Sequence, residues 1–149
     1  MPLTLKKYRT DEYITQPWKN GVGLTRELAK DPAEPYRWRL SQAHVATSSP
    51  FSPFPKYDRV LLTLGHQSIW LLHGGGKKRV LPSLTPYMFS GDLETQAEIS
   101  DPVDDFNLFC LRGSAQGKIY PTYFRISREM QLPIAGQEHF IYCVTGSLE

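Results

Sequence analysis

Arg39 and Ser41 stand two residues apart in the run Tyr36-Arg37-Trp38-Arg39-Leu40-Ser41-Gln42-Ala43-His44-Val45. In an extended chain that spacing puts both side chains on one face. A guanidinium fork beside a hydroxyl can meet a carboxylate group with several directed hydrogen bonds. Asn107 repeats the spacing with Asp105, and its amide can donate to one ligand oxygen while accepting from an amide or imidazole. Asn20 and Thr25 flank the bend Gly21-Val22-Gly23, and Glu27 can complement an amine or imidazole. Trp18, Phe51 and Phe54 can supply the apolar wall of a concave site with few polar groups. These nine residues form the candidate ligand-binding set, and their chemistry suits a small carboxylated metabolite. Asp58, Arg59, Asp105 and Arg112 form the candidate supporting shell, with Arg59 orienting Asp58 or another carboxylate beneath the pocket.

Each of these side chains also has a structural role open to it. Arg39 can serve in a salt bridge, Asn20 in an Asn-Gly turn, Glu27 in a pair with Arg26 or a neighbouring strand, and Phe51 and Phe54 in core filling. Trp38, on the opposite face to Arg39, reads as structural. An enzymatic alternative makes Glu27 or Asp105 a general base in a metal-free isomerase or hydrolase, with Arg39 stabilising a developing anion. No nucleophile-base triad, phosphate loop or dinucleotide fingerprint is present, so no catalytic residue is assigned. The histidines His44, His66, His73 and His139 form no close pair with carboxylates around it, so neither a metal site nor a cofactor is expected. Cys110 and Cys143 sit in apolar segments and read as small buried hydrophobes.

The elements that must position these groups are short. Eleven glycines and twelve prolines in 149 residues leave little room for a long helix. Strands are predicted over Tyr36 to Val45, Arg59 to Leu64, Ser68 to Leu72, Lys77 to Leu81, Thr95 to Ile99, Phe106 to Leu111, Ile119 to Ile126 and Phe140 to Val144. Thr25 to Lys30 is read as extended or strand, because Asp31-Pro32 and Glu34-Pro35 would end a helix at once. Ser48 to Pro55 is too proline-rich for a central strand and too aromatic for a linker, so an ordered loop over apolar surface is expected. Many short strands at this spacing imply an all-β sandwich, barrel or jelly roll in one domain.

Hydrophobic residues at 40% and charged residues at 21% lie outside the disordered range. A net charge of +2 gives no broad electrostatic footprint for nucleic acid. No run approaches the ~18–20 apolar residues that span a bilayer, and the N-terminus has no apolar signal core, so a cytoplasmic protein without membrane contact is expected. The acidic interval Gly91 to Leu111 reads as a solvated rim.

Several segments together resemble the HutD/Ves family: Trp18-Lys19-Asn20-Gly21-Val22-Gly23-Leu24-Thr25-Arg26-Glu27-Leu28, Trp38-Arg39-Leu40-Ser41, and Pro50-Phe51-Ser52-Pro53-Phe54-Pro55 followed by Asp58-Arg59. Pro86-Tyr87-Met88-Phe89, Gly91-Asp92, Asp104 to Leu108 and Arg112-Gly113 extend the match. The resemblance implies a cupin-like, RmlC-type barrel of two related halves in one unit, residues 1–149. It further implies small-molecule binding or regulation connected with histidine utilisation, with a stress-related label on the Ves branch. A structural or protein-interaction module is the remaining alternative. Two departures stand out: Val22 replaces a family glycine, and Lys56 follows Phe54-Pro55 where Gly is usual. Family members continue beyond the point resembling Phe140 to Glu149, so a shortened second half is expected, with a homo-oligomer partner covering the open sheet.

Overall fold

The computed structural model describes residues 4–18, 21–123, 129, 131, 136 and 138–148. A 3-10 turn at Thr10–Glu12 precedes ten strands: β1 (Ile14–Pro17), β2 (Gly23–Lys30), β3 (Trp38–Val45), β4 (Ser49–Pro50), β5 (Tyr57–Thr63), β6 (Ile69–His73), β7 (Arg79–Leu81), β8 (Tyr87–Ser90), β9 (Thr95–Glu98) and β10 (Val103–Leu111). They build a six-stranded sheet in the order β1-β2-β3-β10-β5-β8 and a four-stranded sheet in the order β4-β9-β6-β7. Every described pairing is antiparallel. The all-β expectation holds, as two facing sheets. Among the described residues no ladder joins one sheet to the other, so the expected barrel is not closed by backbone pairing.

β10 lies between β3 and β5, and nearly all of its residues are buried. Its two faces enter two different apolar layers. Phe106, Leu108 and Cys110 join Leu28, Ala29, Leu40, Val60, Leu62 and Leu64 on the outer face of the large sheet. Val103, on the inner face, joins Val45, Leu61, Ile69, Leu71, Leu81, Phe89 and Ala97 between the sheets. A strand covered on both faces loses the alternation of a half-exposed strand, which is why β10 reads as one apolar run with polar interruptions.

The outer layer is covered by irregular chain. Tyr8 and Tyr13 pack on it from the N-terminal side, and Ala115, Ile119 and Tyr142 from the C-terminal side. This corrects two predicted strands. Residues 119–123 and 140–144 form no strand, and residues 124–126 lie outside the described residues. The later segment docks through side chains instead: Phe140 lies 4.7 Å from Trp38 and Tyr142 5.0 Å from Phe106, centre to centre.

The departures at Val22 and Lys56 have different outcomes. Among the described residues the non-glycines with positive φ are Lys56, at 71°, and Leu84, at 54°, so Val22 needs no glycine-like backbone. Lys56 keeps the left-handed turn that a glycine would adopt without strain. Gly23 is required for closeness: a Cβ there would sit 2.6 Å from the His44 carbonyl oxygen and 2.8 Å from the Trp18 ring.

Candidate functional site between the sheets

The pairing register decides which side chains meet. Asn107 lies opposite Ser41 on β3 and Leu61 on β5, and Phe109 lies opposite Arg39 and Arg59. Alternation therefore turns Arg39, Ser41, Asp105, Asn107, Phe109 and Arg59 toward the four-stranded sheet. The shared face read from sequence for Arg39, Ser41 and Asn107 is present. Its centre is Arg59, expected as a supporting residue that orients Asp58 or another carboxylate beneath the pocket.

Arg59 is 5% exposed. Its guanidinium carbon lies 4.8 Å from the ring centre of Phe109, 5.0 Å from Phe89, 5.2 Å from Phe51 and 5.4 Å from Phe54. Aromatic faces attract a cation but do not replace the hydrogen bonds of water. One Nη2 hydrogen bond, 2.8 Å, goes to Asn107 Oδ1. Asn107 Nδ2 donates in turn to Asp105 Oδ1 at 2.6 Å. Among the described residues the buried Arg59 Nε has no hydrogen-bond partner, and no carboxylate lies within ion-pair distance of this guanidinium.

Burial pushes Arg59 down to about 10, which leaves it protonated at neutral pH. Burial pushes Asp105 up to about 7, against the opposing effects of the Arg59 charge and hydrogen bonds from Asn107 and the Ala43 backbone N–H. Near neutrality Asp105 is thus only partly ionised. The buried cation is left without a full compensating charge.

Arg39 sits nearer the edge, with its guanidinium carbon 5.6 Å from the Phe109 ring centre, on the ring that Arg59 also approaches. Its Nε donates to Glu27 Oε2 at 2.9 Å, and Lys30 approaches the same carboxylate at 4.0 Å. Glu27 is thereby held in ion pairs rather than left free as a base. Thr25 accepts from Trp18 Nε1 at 2.8 Å, and Trp18 meets Phe51 edge to face at 6.4 Å. Ser41 is buried on the same face. Asn20 lies outside the described residues.

Asp58 and Arg112 are brought together elsewhere. Alternation turns Asp58 away from Arg59 and out of the interior. Arg112 Nη2 donates to Asp58 Oδ1 at 2.9 Å, to Ser90 Oγ at 2.9 Å and to Asp92 Oδ2 at 3.0 Å, in an exposed cluster. That cluster ties the ends of β5, β8 and β10 and does not reach the Arg59 guanidinium.

Sequence reasoning missed Phe89, Phe109 and the group around His73. Phe109 was accessible, since it continues the Asp105-Asn107 spacing by two residues. His73 lies against Phe89, 4.8 Å between ring centres; its Nδ1 is 2.9 Å from Thr95 Oγ1 and its Nε2 is 3.2 Å from the Tyr87 hydroxyl. Burial, then the charges of Arg79 and Arg59, hold its imidazole below the usual histidine range. Among the described residues no group of three or more His, Cys, Asp or Glu side chains is placed to hold a metal ion.

The HutD family profile matches residues 10–149. The chain belongs to the HutD family. It is 34% identical over 108 residues to an uncharacterized 21.2 kDa protein in the hutC 3' region of Pseudomonas putida, covering 70% of this chain and 57% of that protein. It is 33% identical over 105 residues to protein Ves of Cronobacter sakazakii, covering 68% of this chain and 58% of the relative. The chain thus spans little more than half the length of these curated relatives. Among solved structures, HutD from Pseudomonas fluorescens SBW25, in a formate condition, superimposes with a TM-score of 0.65 at 36% identity, over 69% of this chain and 58% of that one. KdgF from a Halomonas species shares the fold at a TM-score of 0.56 and 14% identity, covering 72% of this chain and 95% of that one. A cupin domain of an Enterobacter cloacae transcriptional regulator aligns at 0.50 and 17% identity, covering 60% of this chain and 96% of that domain. The two-sheet fold is cupin-like. No helix among the described residues is long and apolar enough to cross a membrane.

Proposed function

We propose that this chain binds a small carboxylated metabolite between its two sheets, with Arg59 rather than Arg39 as the anchor for the anion. The observation that carries this reading is the buried Arg59 guanidinium with an unpartnered Nε and no paired carboxylate among the described residues. A planar carboxylate supplies both missing elements, a negative charge and in-plane acceptors. Phe51, Phe54, Phe89 and Phe109 shape the surrounding wall, and Arg39, beside Phe109 and tied to Glu27, adds positive potential nearer the edge. Binding without turnover suits a sensor: occupancy can shift the Phe51–Phe54 loop only to the extent that the ligand prefers one position of it.

The relatives supply a direction for the choice of ligand. One lies in a hutC 3' region and another is named HutD, which supports trying carboxylates connected with histidine utilisation. Calorimetric titration with formate, urocanate, N-formylglutamate, a dicarboxylate control and a neutral amide tests this directly. Saturable binding of at least one carboxylate, lost in Arg59→Met and absent for the amide, is expected. Equal binding by wild type and Arg59→Met would overturn the anchor. The isomerase or hydrolase alternative requires turnover that Asp105→Asn or Glu27→Gln abolishes, measured on the same compounds.

A further inference from the structure

We propose that Asp105 gains a proton as a carboxylate enters beside Arg59, so that the interior takes up an anion and a proton together. The inference rests on the reading of the interior as a carboxylate site. Its basis is the side-chain relay from β10 to β5. Asp105 Oδ1 accepts from Asn107 Nδ2, which leaves Asn107 Oδ1 to accept from Arg59 Nη2. Asp105 is 1% exposed, so little water is available to screen it from a charge arriving at the far end of the relay.

The groups packed around Asp105 set the direction. From β5, Arg59 faces the same interior; from β3 come the Ala43 backbone N–H and, farther along, Arg39 paired with Glu27 of β2. From the facing sheet, His73 of β6 sits behind Phe89, held below its usual range and engaged with Thr95 and Tyr87. On β10 itself, Asp104 turns outward to His44, 2.8 Å away. Of these, the Arg59 charge favours ionised Asp105 most strongly, while burial opposes it. An anion placed against Arg59 cancels that favourable field and adds its own repulsion. Both changes drive Asp105 toward its neutral form. The step balances as a proton transfer: an O–H bond forms on an Asp105 carboxylate oxygen as one breaks in the hydronium ion or buffer acid that donates the proton.

The free carboxyl titrates near 7. Linkage then fixes the pH profile. Well below that value Asp105 is already protonated, and affinity is independent of pH. Above it, binding must import a proton, and affinity falls by up to about tenfold per pH unit.

Formate and acetate titrations of the whole chain at pH 6, 7 and 8, each in two buffers of different ionisation enthalpy, test this. The expected result is a Kd that rises from pH 7 to 8 with a buffer-dependent heat showing proton uptake, and in Asp105→Asn a Kd that stays flat. In parallel, carboxyl-labelled aspartate in the wild type, assigned by the signal missing from Asp105→Asn, should titrate near neutrality when free and at higher pH with formate present. Carboxylate binding with a flat Kd and no proton uptake would overturn the coupling while leaving the binding reading intact. So would a free Asp105 that titrates in the ordinary carboxylate range. Failure of any carboxylate to bind at pH 6 would overturn the binding reading, and the coupling with it.

Discussion

Taking a guanidinium out of water costs several kcal/mol unless other groups replace the solvent, and in Arg59 they do so only in part. Four phenyl rings and one amide oxygen face it. Arg59→Met removes that penalty but leaves the Asn107 carbonyl oxygen without its donor, which costs about 1–3 kcal/mol. These changes oppose each other, so urea unfolding is expected to place the variant within about 2 kcal/mol of wild type, while carboxylate binding is lost. A variant that fails to fold would show instead that Arg59 is chiefly structural. At this scale the sequence was half legible. The two-residue spacings of Arg39 with Ser41 and of Asp105 with Asn107 placed both pairs correctly on one face. The spacing between Asp58 and Arg59 carried equal information in the opposite sense: neighbours on a strand point to opposite sides, so Arg59 cannot orient Asp58 beneath a shared pocket. Long-range pairing, which brings Asn107 to Arg59 across 48 residues, leaves no local trace.

The aromatic loop owes its position to backbone contacts at both ends. Phe51 N donates to Thr95 O at 2.9 Å, and Phe54 N to Gly91 O at 2.8 Å. A Cβ on Gly91 would meet the Phe54 carbonyl, lie 2.9 Å from Tyr57 O and lie 3.0 Å from Phe54 Cβ. Backbone cannot move aside as a flexible side chain can. Gly91→Ala is therefore expected to destabilise the fold by about 2 kcal/mol and to weaken carboxylate binding by displacing Phe54, both readable from unfolding and titration. Lys56 gives the reverse case. Its positive φ costs a non-glycine residue about 1–2 kcal/mol, and its amide contact to Asp92 and carbonyl contact to Arg112 N are made by backbone atoms that glycine retains. Lys56→Gly should raise stability by up to about 1 kcal/mol, the gain being reduced by the greater freedom of unfolded glycine. Alternation revealed β3, and short apolar runs between Gly/Pro breaks revealed β5, β6, β7, β9 and β10, because each contributes buried side chains to the core. The segment Phe140 to Val144 carries the same apolar pattern but satisfies it with ring contacts, and composition cannot separate the two outcomes.

For the molecule as a whole, two aspartates pull stability in opposite directions with pH. Asp31 accepts Arg37 Nε at 2.8 Å, Nη2 at 2.9 Å and its backbone N–H at 3.0 Å, which holds it at about 2, below its ordinary 3.8. Its contribution is present above the ordinary value and lost as pH falls toward 2. Asp105 is raised from 3.8 to about 7, so the folded chain holds that proton more tightly than the unfolded chain. Its contribution is complete below about 4 and lost as pH rises through 7. Asp105→Asn cannot titrate. Relative to wild type it should gain stability from pH 4 to about 7 and level off above that, as measured by thermal unfolding from pH 4 to pH 8. A constant difference would show that Asp105 ionises as freely in the folded chain as in the unfolded one.

The outer layer of the large sheet is roofed by side chains from irregular chain, and this governs how the molecule breathes. Residues 138–148 join no strand of the described sheets, yet Phe140 and Tyr142 rest on Trp38 and Phe106. A roof fastened by ring contacts and by the Tyr142 hydroxyl's hydrogen bond to Gln42 Oε1 can lift without unzipping a ladder. In deuterated water its amides should exchange early, while those of β10, locked from both sides, should be among the last to go. Each lifting event would briefly wet Phe106 and Leu108, making this seam the place where the sheet first becomes sticky toward other chains.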